Sequence, residues 1–157
     1  NIGFRAKDAS EWLVIGDLAA NNGTINAAAS SWKIQLDAKI TTSANAQHLI
    51  NIWSGSNYLR AYLSWSQIIV KATDITGITT TTAGITIPSD LTNIKVLLEK
   101  TNLEYKLSIY NENAPVGSDT IPIAKFPVPI QNIFVGKNYT GGQPWSWTIN
   151  NIQITKS

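Results

Sequence analysis

The chain contains no cysteine and no methionine, and only 14% of its 157 residues are charged. Without cysteine, disulfide bonds and thiolate metal sites are excluded. The formal net charge is only +2 and no lysine or arginine cluster is present, so we expect no nucleic-acid partner. No apolar run approaches the length needed to cross a bilayer, which argues against membrane insertion.

Apolar residues make up 43% of the chain, which is typical of a folded globular protein rather than a disordered one. At this length we expect residues 1–157 to form a single domain with a substantial core. The chain starts at Asn1 and lacks Met, which we interpret as a module of a larger protein. Its six Trp residues are more than a core of this size usually needs.

Short segments that alternate apolar and polar residues fill the chain, whereas helical periodicity is almost missing. Strands are predicted over residues 11–15, 32–40, 48–53, 58–63, 68–73, 93–99, 104–110, 130–135 and 147–154. The Pro-rich stretch 115–129 is predicted to be a connection or an edge strand. We therefore predict an all-β fold with two antiparallel sheets packed as a β-sandwich, in which the strand near Trp12 lies beside the strand near Ile152.

Two of these strands can be registered against each other. Residues 54–57, Ser-Gly-Ser-Asn, have the composition of a tight turn. Pairing Trp53 with Tyr58 across this turn gathers aliphatic side chains on one face: Ile50, Ile52, Leu59 and Ala61. The other face then carries Asn51, Trp53, Tyr58, Arg60 and Tyr62. The same alternation turns His48, the single histidine, toward the aliphatic face, where we expect a core position rather than a ligand or a catalytic base.

The mixed face has the chemistry of a carbohydrate site. Aromatic rings stack on the apolar faces of sugars, while the amide of Asn51 and the guanidinium of Arg60 can orient sugar hydroxyls through hydrogen bonds. The alternative is that these side chains pack beneath a loop or in an oligomer contact. A second candidate is the Gly-Gly loop at residues 138–147, where Tyr139 and Trp145 could make rim contacts. The sequence therefore predicts a polysaccharide or a cell-surface glycan as the partner.

Three segments resemble the concanavalin A-like jelly roll, the fold of laminin-G-like domains, lectins and many carbohydrate-binding modules. Residues 32–40 resemble its early strand and residues 95–110 its central hairpin. Residues 133–136 and the Gly pair at 141–142, followed by residues 147–154, resemble its closing pattern. The family's Asp-Gly after the central strand is replaced by Asn111-Glu112-Asn113, so a site built on that Asp is not carried over.

The resemblance implies a jelly-roll β-sandwich with a lectin-like function. Similar jelly rolls with low charge and abundant Ile, Asn and Thr occur as adhesion modules in phage tail and baseplate proteins and in bacterial surface proteins. This implies an extracellular or virion-surface location and a role in host recognition, with other domains of a larger assembly as neighbours. The alternatives are a small jelly-roll glycanase or lyase and a laminin-G-type interaction or structural module.

Catalysis is not expected. Jelly-roll glycoside hydrolases that resemble this fold carry paired acids on one strand, whereas the four glutamates of the chain have no acidic neighbour of that kind. Calcium could be held by Asp17, Asp74 or Asp90 with loop carbonyls, but no dense Asp/Asn loop is present. We therefore predict a non-enzymatic module without a metal or another cofactor.

Overall fold

The computed structural model describes residues 4–5, 13–17, 31–40, 43–54, 56–126, 132–136 and 148–156. Within these ranges the chain forms β-strands and one short 3₁₀ helix, Ile123–Lys125. The strands are β1 (Phe4–Arg5), β2 (Leu13–Asp17), β3 (Trp32–Lys39), β4 (Ser43–Ser54), β5 (Asn57–Trp65), β6 (Gln67–Thr73), β7 (Thr79–Thr81), β8 (Ile85–Thr86), β9 (Asn93–Lys100), β10 (Glu104–Asn111), β11 (Ala114–Pro122), β12 (Asn132–Val135) and β13 (Thr148–Lys156). No helix among the described residues is long and apolar enough to cross a membrane.

The strands form two antiparallel sheets. The strand order is β1-β13-β3-β9-β10-β11 in sheet A and β2-β12-β4-β5-β6-β7 in sheet B, where β8 also pairs with β6. Strand β11 carries Pro115 and Pro122 of the Pro-rich stretch and is the outer strand of sheet A. The predicted all-β fold with two antiparallel sheets is confirmed.

The core lies between the facing sides of the two sheets, and burial alternates along the strands because successive side chains point to opposite faces. In β3, for example, Trp32 and Ile34 are buried while Lys33 between them is exposed. In the hairpin of β9 and β10, alternation places six apolar residues on one side, and all six are buried: Ile94, Val96, Leu98, Tyr105, Leu107 and Ile109. Period-two alternation therefore predicted the core face of this hairpin correctly.

Tyr105 anchors one end of this core. Its ring centroid lies 6.1 Å from that of Trp32 and 5.8 Å from that of Phe126. Its hydroxyl donates a hydrogen bond to the backbone carbonyl of Phe126. Burial raises the pKa of Tyr105 well above its ordinary value, so the hydroxyl stays protonated and remains a donor.

The predicted pairing of the terminal strands is wrong. Strand β2 pairs with β12 in sheet B, whereas β1 is the strand that pairs with β13 in sheet A. Glu11 and Trp12, at the start of the predicted first strand, lie outside the described residues. The error has a physical reason, because alternation determines which side chains face the core but does not determine which of two sheets a strand joins.

Candidate functional site

The hairpin of β4 and β5 has the predicted register. The paired residues are Trp53 with Tyr58, Ile52 with Leu59, Asn51 with Arg60 and Ile50 with Ala61. The aliphatic members of these pairs are fully buried in the core. The opposite side of β5 carries Tyr58, Arg60 and Tyr62, all of them partly exposed. This side of β4, β5 and β6, turned away from the core, is called the aromatic face below.

Arg60 is held by the ring of Tyr58. The guanidinium carbon lies 3.7 Å from the ring centroid, which is a close cation–π contact between two residues on the same side of the strand. With the described residues, Arg60 forms no ion pair, and its buried Nε has no hydrogen-bond partner. The ring therefore limits how the guanidinium can turn, and since Arg60 is partly exposed, its terminal amino groups rather than the buried Nε are the donors that a ligand could use.

A second cation lies directly across from Arg60. Lys71 on β6 is its cross-strand partner, so two positive side chains share the aromatic face. Like charges that oppose each other in a sheet are destabilising. Among the side chains that the structure describes on this face, none is a carboxylate, and the ion pair between Lys33 and Glu99 belongs to sheet A. The face thus has a local excess of positive charge.

The structure corrects the predicted orientation of His48. A β-bulge between His48 and Ile50 adds one residue to β4, so His48 pairs with Tyr62 and lies on the side of the aromatic face. The two rings are stacked, with centroids 5.6 Å apart and planes inclined by 29°. His48 is buried, as predicted, but not on the aliphatic face. Burial raises the pKa of Tyr62, while the charge of Arg60 lowers it and Tyr58 raises it further.

Asn51 lies on the predicted side of the sheet but not at its surface. The residue is 0% exposed, and neither atom of its side-chain amide has a hydrogen-bond partner among the described residues. A buried amide without partners costs about 1–3 kcal/mol. Asn51 sits in an inner strand, between Phe134 of β12 and Arg60 of β5, which explains why it is not at an open edge. It is therefore a buried neighbour of Arg60 rather than an exposed contact for sugar hydroxyls.

The remaining predicted contacts are only partly covered by the structure. Strand β4 places the backbone of Trp53 opposite Tyr58, but the side chain of Trp53 is outside the described part of the chain. Tyr139 and Trp145 lie outside the described residues altogether. A role of these three residues in binding stays a prediction.

The turn between β4 and β5 is tied to the end of β6. The side-chain amide of Asn57 donates to the carbonyl oxygens of Thr73 at 3.3 Å and Asp74 at 2.5 Å. The backbone N–H of Tyr58 donates to the hydroxyl of Thr73 at 3.0 Å. These bonds fix the start of the strand that carries the aromatic face, so its side chains are presented from a rigid backbone.

Of the three aspartates considered for calcium, Asp74 is engaged in hydrogen bonds, Asp90 is exposed, and the side chain of Asp17 is not described. The carboxylate of Asp74 accepts hydrogen bonds from the hydroxyl of Thr76 and from the backbone N–H groups of Thr76 and Ile78, which lower the pKa of Asp74. The described residues contain no group of three His, Asp or Glu side chains that could hold a metal ion.

A separate groove of about 880 Å³ lies at one end of sheet A. Its polar lining consists of Asp37, Lys39, Asp90, Thr92, Asn93, Lys95, Asn111, Glu112, Asn113 and Asn151. The amide of Asn151 donates to the carboxylate of Asp37 at 2.7 Å. Within the described part of the chain, this lining offers hydrogen bonds but no aromatic ring for stacking. Sequence reasoning missed this groove because its walls come from segments that are far apart in the chain, and no local motif joins them.

Comparisons with known proteins identify the fold. No family model matches the sequence, and no curated protein matches it either. The carbohydrate-binding module CBM40 of the Ruminococcus gnavus IT-sialidase superposes with a TM-score of 0.67 at 18% identity, covering 98% of this chain and 89% of that one. A botulinum neurotoxin serotype D ligand-binding domain in complex with N-acetylneuraminic acid gives a TM-score of 0.64 at 16% identity, covering 97% of this chain and 38% of that one.

The CBM2 module of the evolved Dit protein of Lactobacillus casei BL23 phage J-1 is also similar, with a TM-score of 0.53 at 17% identity, covering 92% of this chain and 66% of that one. At such low identities the likeness concerns the fold. The chain therefore has the two-sheet jelly-roll fold that carbohydrate-binding modules use, as the resemblance implied.

Proposed function

We propose that this chain is a non-catalytic glycan-binding module that holds its ligand on the aromatic face. The observation that carries the proposal is the arrangement of Tyr58, Arg60 and Tyr62 on one partly exposed surface. Aromatic rings offer flat apolar area at low entropic cost, and the guanidinium offers directed donors for oxygen atoms. A sugar presents both kinds of surface, an apolar ring face and a rim of oxygen atoms.

The charge of this face favours a glycan with an anionic group. Arg60 and Lys71 oppose each other across β5 and β6, and no described carboxylate on this face neutralises them. A carboxylate, phosphate or sulfate of the ligand would relieve the repulsion between them and accept hydrogen bonds from both. Arginine is suited to this task because its planar donors match the geometry of a carboxylate or phosphate group.

The similar structures support the same function. The Ruminococcus gnavus module has been solved with α2,3-sialyllactose, and the serotype D neurotoxin domain with N-acetylneuraminic acid, which is a carboxylated sugar. We carry over the ligand class, a glycan with an acidic sugar, and no residue assignment.

We place the module outside the cell or on a virion surface, as part of a larger assembly that attaches to host glycans. The likeness to a module of a phage Dit protein supports such an adhesion role. A glycan-binding surface is useful to such an assembly without any chemical step, because attachment needs only affinity.

The polar groove of sheet A is the observation that would favour an enzyme, since it contains three carboxylates, those of Asp37, Asp90 and Glu112. Two features oppose that function. Asp90 and Glu112 are exposed, so neither has the apolar surroundings that make a carboxyl group an effective general acid. Asp37 already accepts a hydrogen bond from Asn151.

Calorimetric titration with α2,3-sialyllactose and with lactose, its neutral counterpart, tests the proposed function. The wild-type protein should bind the acidic sugar and discriminate against lactose. Arg60→Gln should weaken binding of the acidic sugar at least about tenfold, since a hydrogen bond to a charged group contributes about 1.5–3 kcal/mol. Lys106→Gln, which removes one charge from sheet A, is the matched control and should bind normally. Absence of binding to these sugars and to every sugar of a glycan array would show that the proposed function is wrong.

A further inference from the structure

Trp65 has an exceptional position in this fold. It lies at the end of β5, in the tight turn to β6, and its backbone is left-handed with φ of 56°. Its side chain is 66% exposed, although a tryptophan normally gains stability by burial. The residue is therefore unfavourably placed in two independent respects.

The left-handed backbone at position 65 destabilises the folded state, and tryptophan is not a residue type that tolerates it well. Glycine adopts this conformation freely, and Asn adopts it more readily than other residues, whereas a bulky side chain brings Cβ close to the following carbonyl oxygen. Among the other described residues with positive φ, Gly77, Gly84 and Gly136 are glycines, Asn151 has a tolerant side chain, and Glu112 is a second residue without one. Trp65 has the bulkier side chain of the two unsuited residues. Local stability alone would thus favour Gly or Asn at position 65. Strained and exposed residues of this kind are typical of binding sites.

Trp65 belongs to the same strand as the proposed site. Strand β5 carries Tyr58, Arg60 and Tyr62 on the aromatic face and ends at Trp65. Alternation gives Trp65 the side of Leu63, but it lies past the last buried pair, Leu63 and Ile68, and its side chain is open to solvent at the end of the strand. At a rise of about 3.3 Å per residue, Trp65 lies about 10 Å from Tyr62 and about 23 Å from Tyr58 along the strand. A single sugar ring cannot bridge the distance from Tyr58 to Trp65, but an oligosaccharide can.

We propose that Trp65 is a second stacking position and that the ligand is an extended glycan chain that runs along the aromatic face of β5 and around the end of the strand. This inference rests on the proposed function and specifies its ligand as an oligosaccharide rather than a terminal sugar. The acidic sugar contacts Arg60, and a later sugar of the same chain packs its apolar face on the exposed indole of Trp65. The other strongly exposed apolar side chains are aliphatic within the described part of the chain, namely Ile75, Ile78 and Leu103. They lack the flat ring that a sugar face requires.

The test compares Trp65→Gly and Trp65→Asn with wild type on a ladder of acidic oligosaccharides from a monosaccharide to a hexasaccharide. Both variants should melt at or above the wild-type temperature, because they relieve the left-handed strain. Both should bind the shortest ligands like wild type and the longest ligands about tenfold more weakly, in the range expected for the loss of one stacked ring. Leu103→Ala, at another exposed turn, is the control and should bind every ligand normally.

The outcomes separate this inference from the proposed function. If wild type binds short acidic glycans and gains no affinity with chain length, or if the variants bind long chains normally, the inference is wrong while the proposed function stands. If the variants lose stability and bind all ligands weakly, Trp65 is a structural residue and the inference is also wrong. If wild type binds no glycan of any length, the proposed function itself fails. Loss of a protein or membrane contact in the variants, with glycan binding intact, would likewise overturn the inference.

Discussion

The guanidinium of Arg60 lies on the ring of Tyr58, with 3.7 Å between its central carbon and the ring centroid. The two residues are separated by one position of β5, so the pleat of the strand brings them to the same side. This contact orients the guanidinium on the aromatic face, because the ring limits how it can turn. Its remaining N–H donors are left for an acidic ligand.

Tyr58→Leu tests this contact. Leucine keeps apolar bulk but removes the ring, so Arg60 loses its support. We expect a loss of stability of about 0.5–1 kcal/mol from the partly exposed cation–π pair. Binding of an acidic glycan should weaken as well, because the guanidinium must be ordered by the ligand. Urea unfolding and calorimetry measure the two effects. Tyr110→Leu on sheet A is the matched control, and equal losses of glycan binding in both variants would contradict the account.

Lys71→Thr tests the opposed charges. Removing one of two like charges should raise the free energy of unfolding by a few tenths of a kcal/mol, with the gain shrinking at high salt. The same variant should bind acidic glycans more weakly, because one cation is lost. Thermal melts at low and high ionic strength check the first effect. A loss of stability at low salt would show that Lys71 has a favourable partner instead.

Lys100→Met tests the buried lysine at the end of β9. The side chain is only 2% exposed, and burial lowers the pKa of Lys100. The lysine therefore loses its proton at a lower pH in the folded state than in the unfolded state. The free energy of unfolding of the wild type should rise with pH between the lowered pKa of the folded state and the pKa of the unfolded state, about 10.4. Lys100→Met should be more stable than wild type at neutral pH, and its advantage should shrink as pH rises through that window. Urea titrations over this range measure the difference, and a constant difference would contradict the assignment.

Gly117→Ala tests the packing of the edge strand β11. A Cβ at this position would lie 2.8 Å from Cγ2 of Ile85, which is buried. We expect a destabilisation of about 1–3 kcal/mol from overpacking. Gly77→Ala meets no atom within 4 Å but has φ of +83°, so it should lose only about 1–2 kcal/mol from the left-handed backbone.

A double-mutant cycle separates the two causes. Combining Gly117→Ala with Ile85→Ala should recover part of the loss, since the clash disappears. Combining Gly77→Ala with Ile85→Ala should give additive losses. Additivity in both cycles would show that Gly117 is not limited by Ile85.

Hydrolysis assays test whether the groove of sheet A is catalytic. Asp90 and Glu112 are exposed, and the carboxylate of Asp37 accepts a hydrogen bond from Asn151. We therefore expect no steady release of reducing sugars from a panel of glycans. Turnover that disappears in Glu112→Gln or Asp37→Asn would reverse the assignment and make the groove an active site.

The sequence predicted the hairpin of the aromatic face well, because the turn and the alternation on both sides of it agree on one register. The pair Trp53–Tyr58 is present as expected. The orientation of His48 could not be predicted in this way. The bulge before Ile50 inserts one residue into the strand, and no Gly or Pro at that point of the sequence indicates it. The partner of β2 was also missed, because strand pairing across sheets is a long-range choice.

The exposure of Trp65 could not be predicted from the sequence either. Tryptophan is usually buried, and only the backbone angle and the exposed side chain reveal that the turn presents Trp65 to solvent. The polar groove likewise cannot be predicted without the fold, since Asp37 and Asn151 come together although 114 positions separate them in the chain.

An amide chemical-shift titration with α2,3-sialyllactose tests the central claim most directly, because it locates the ligand without any substitution. We expect saturable shifts on β4, β5 and β6 that centre on Tyr58, Arg60, Tyr62 and Lys71. The backbone around Asp37 and Glu112, at the groove of sheet A, should stay unchanged. Shifts confined to that groove would contradict the account, as would the absence of any saturable shift.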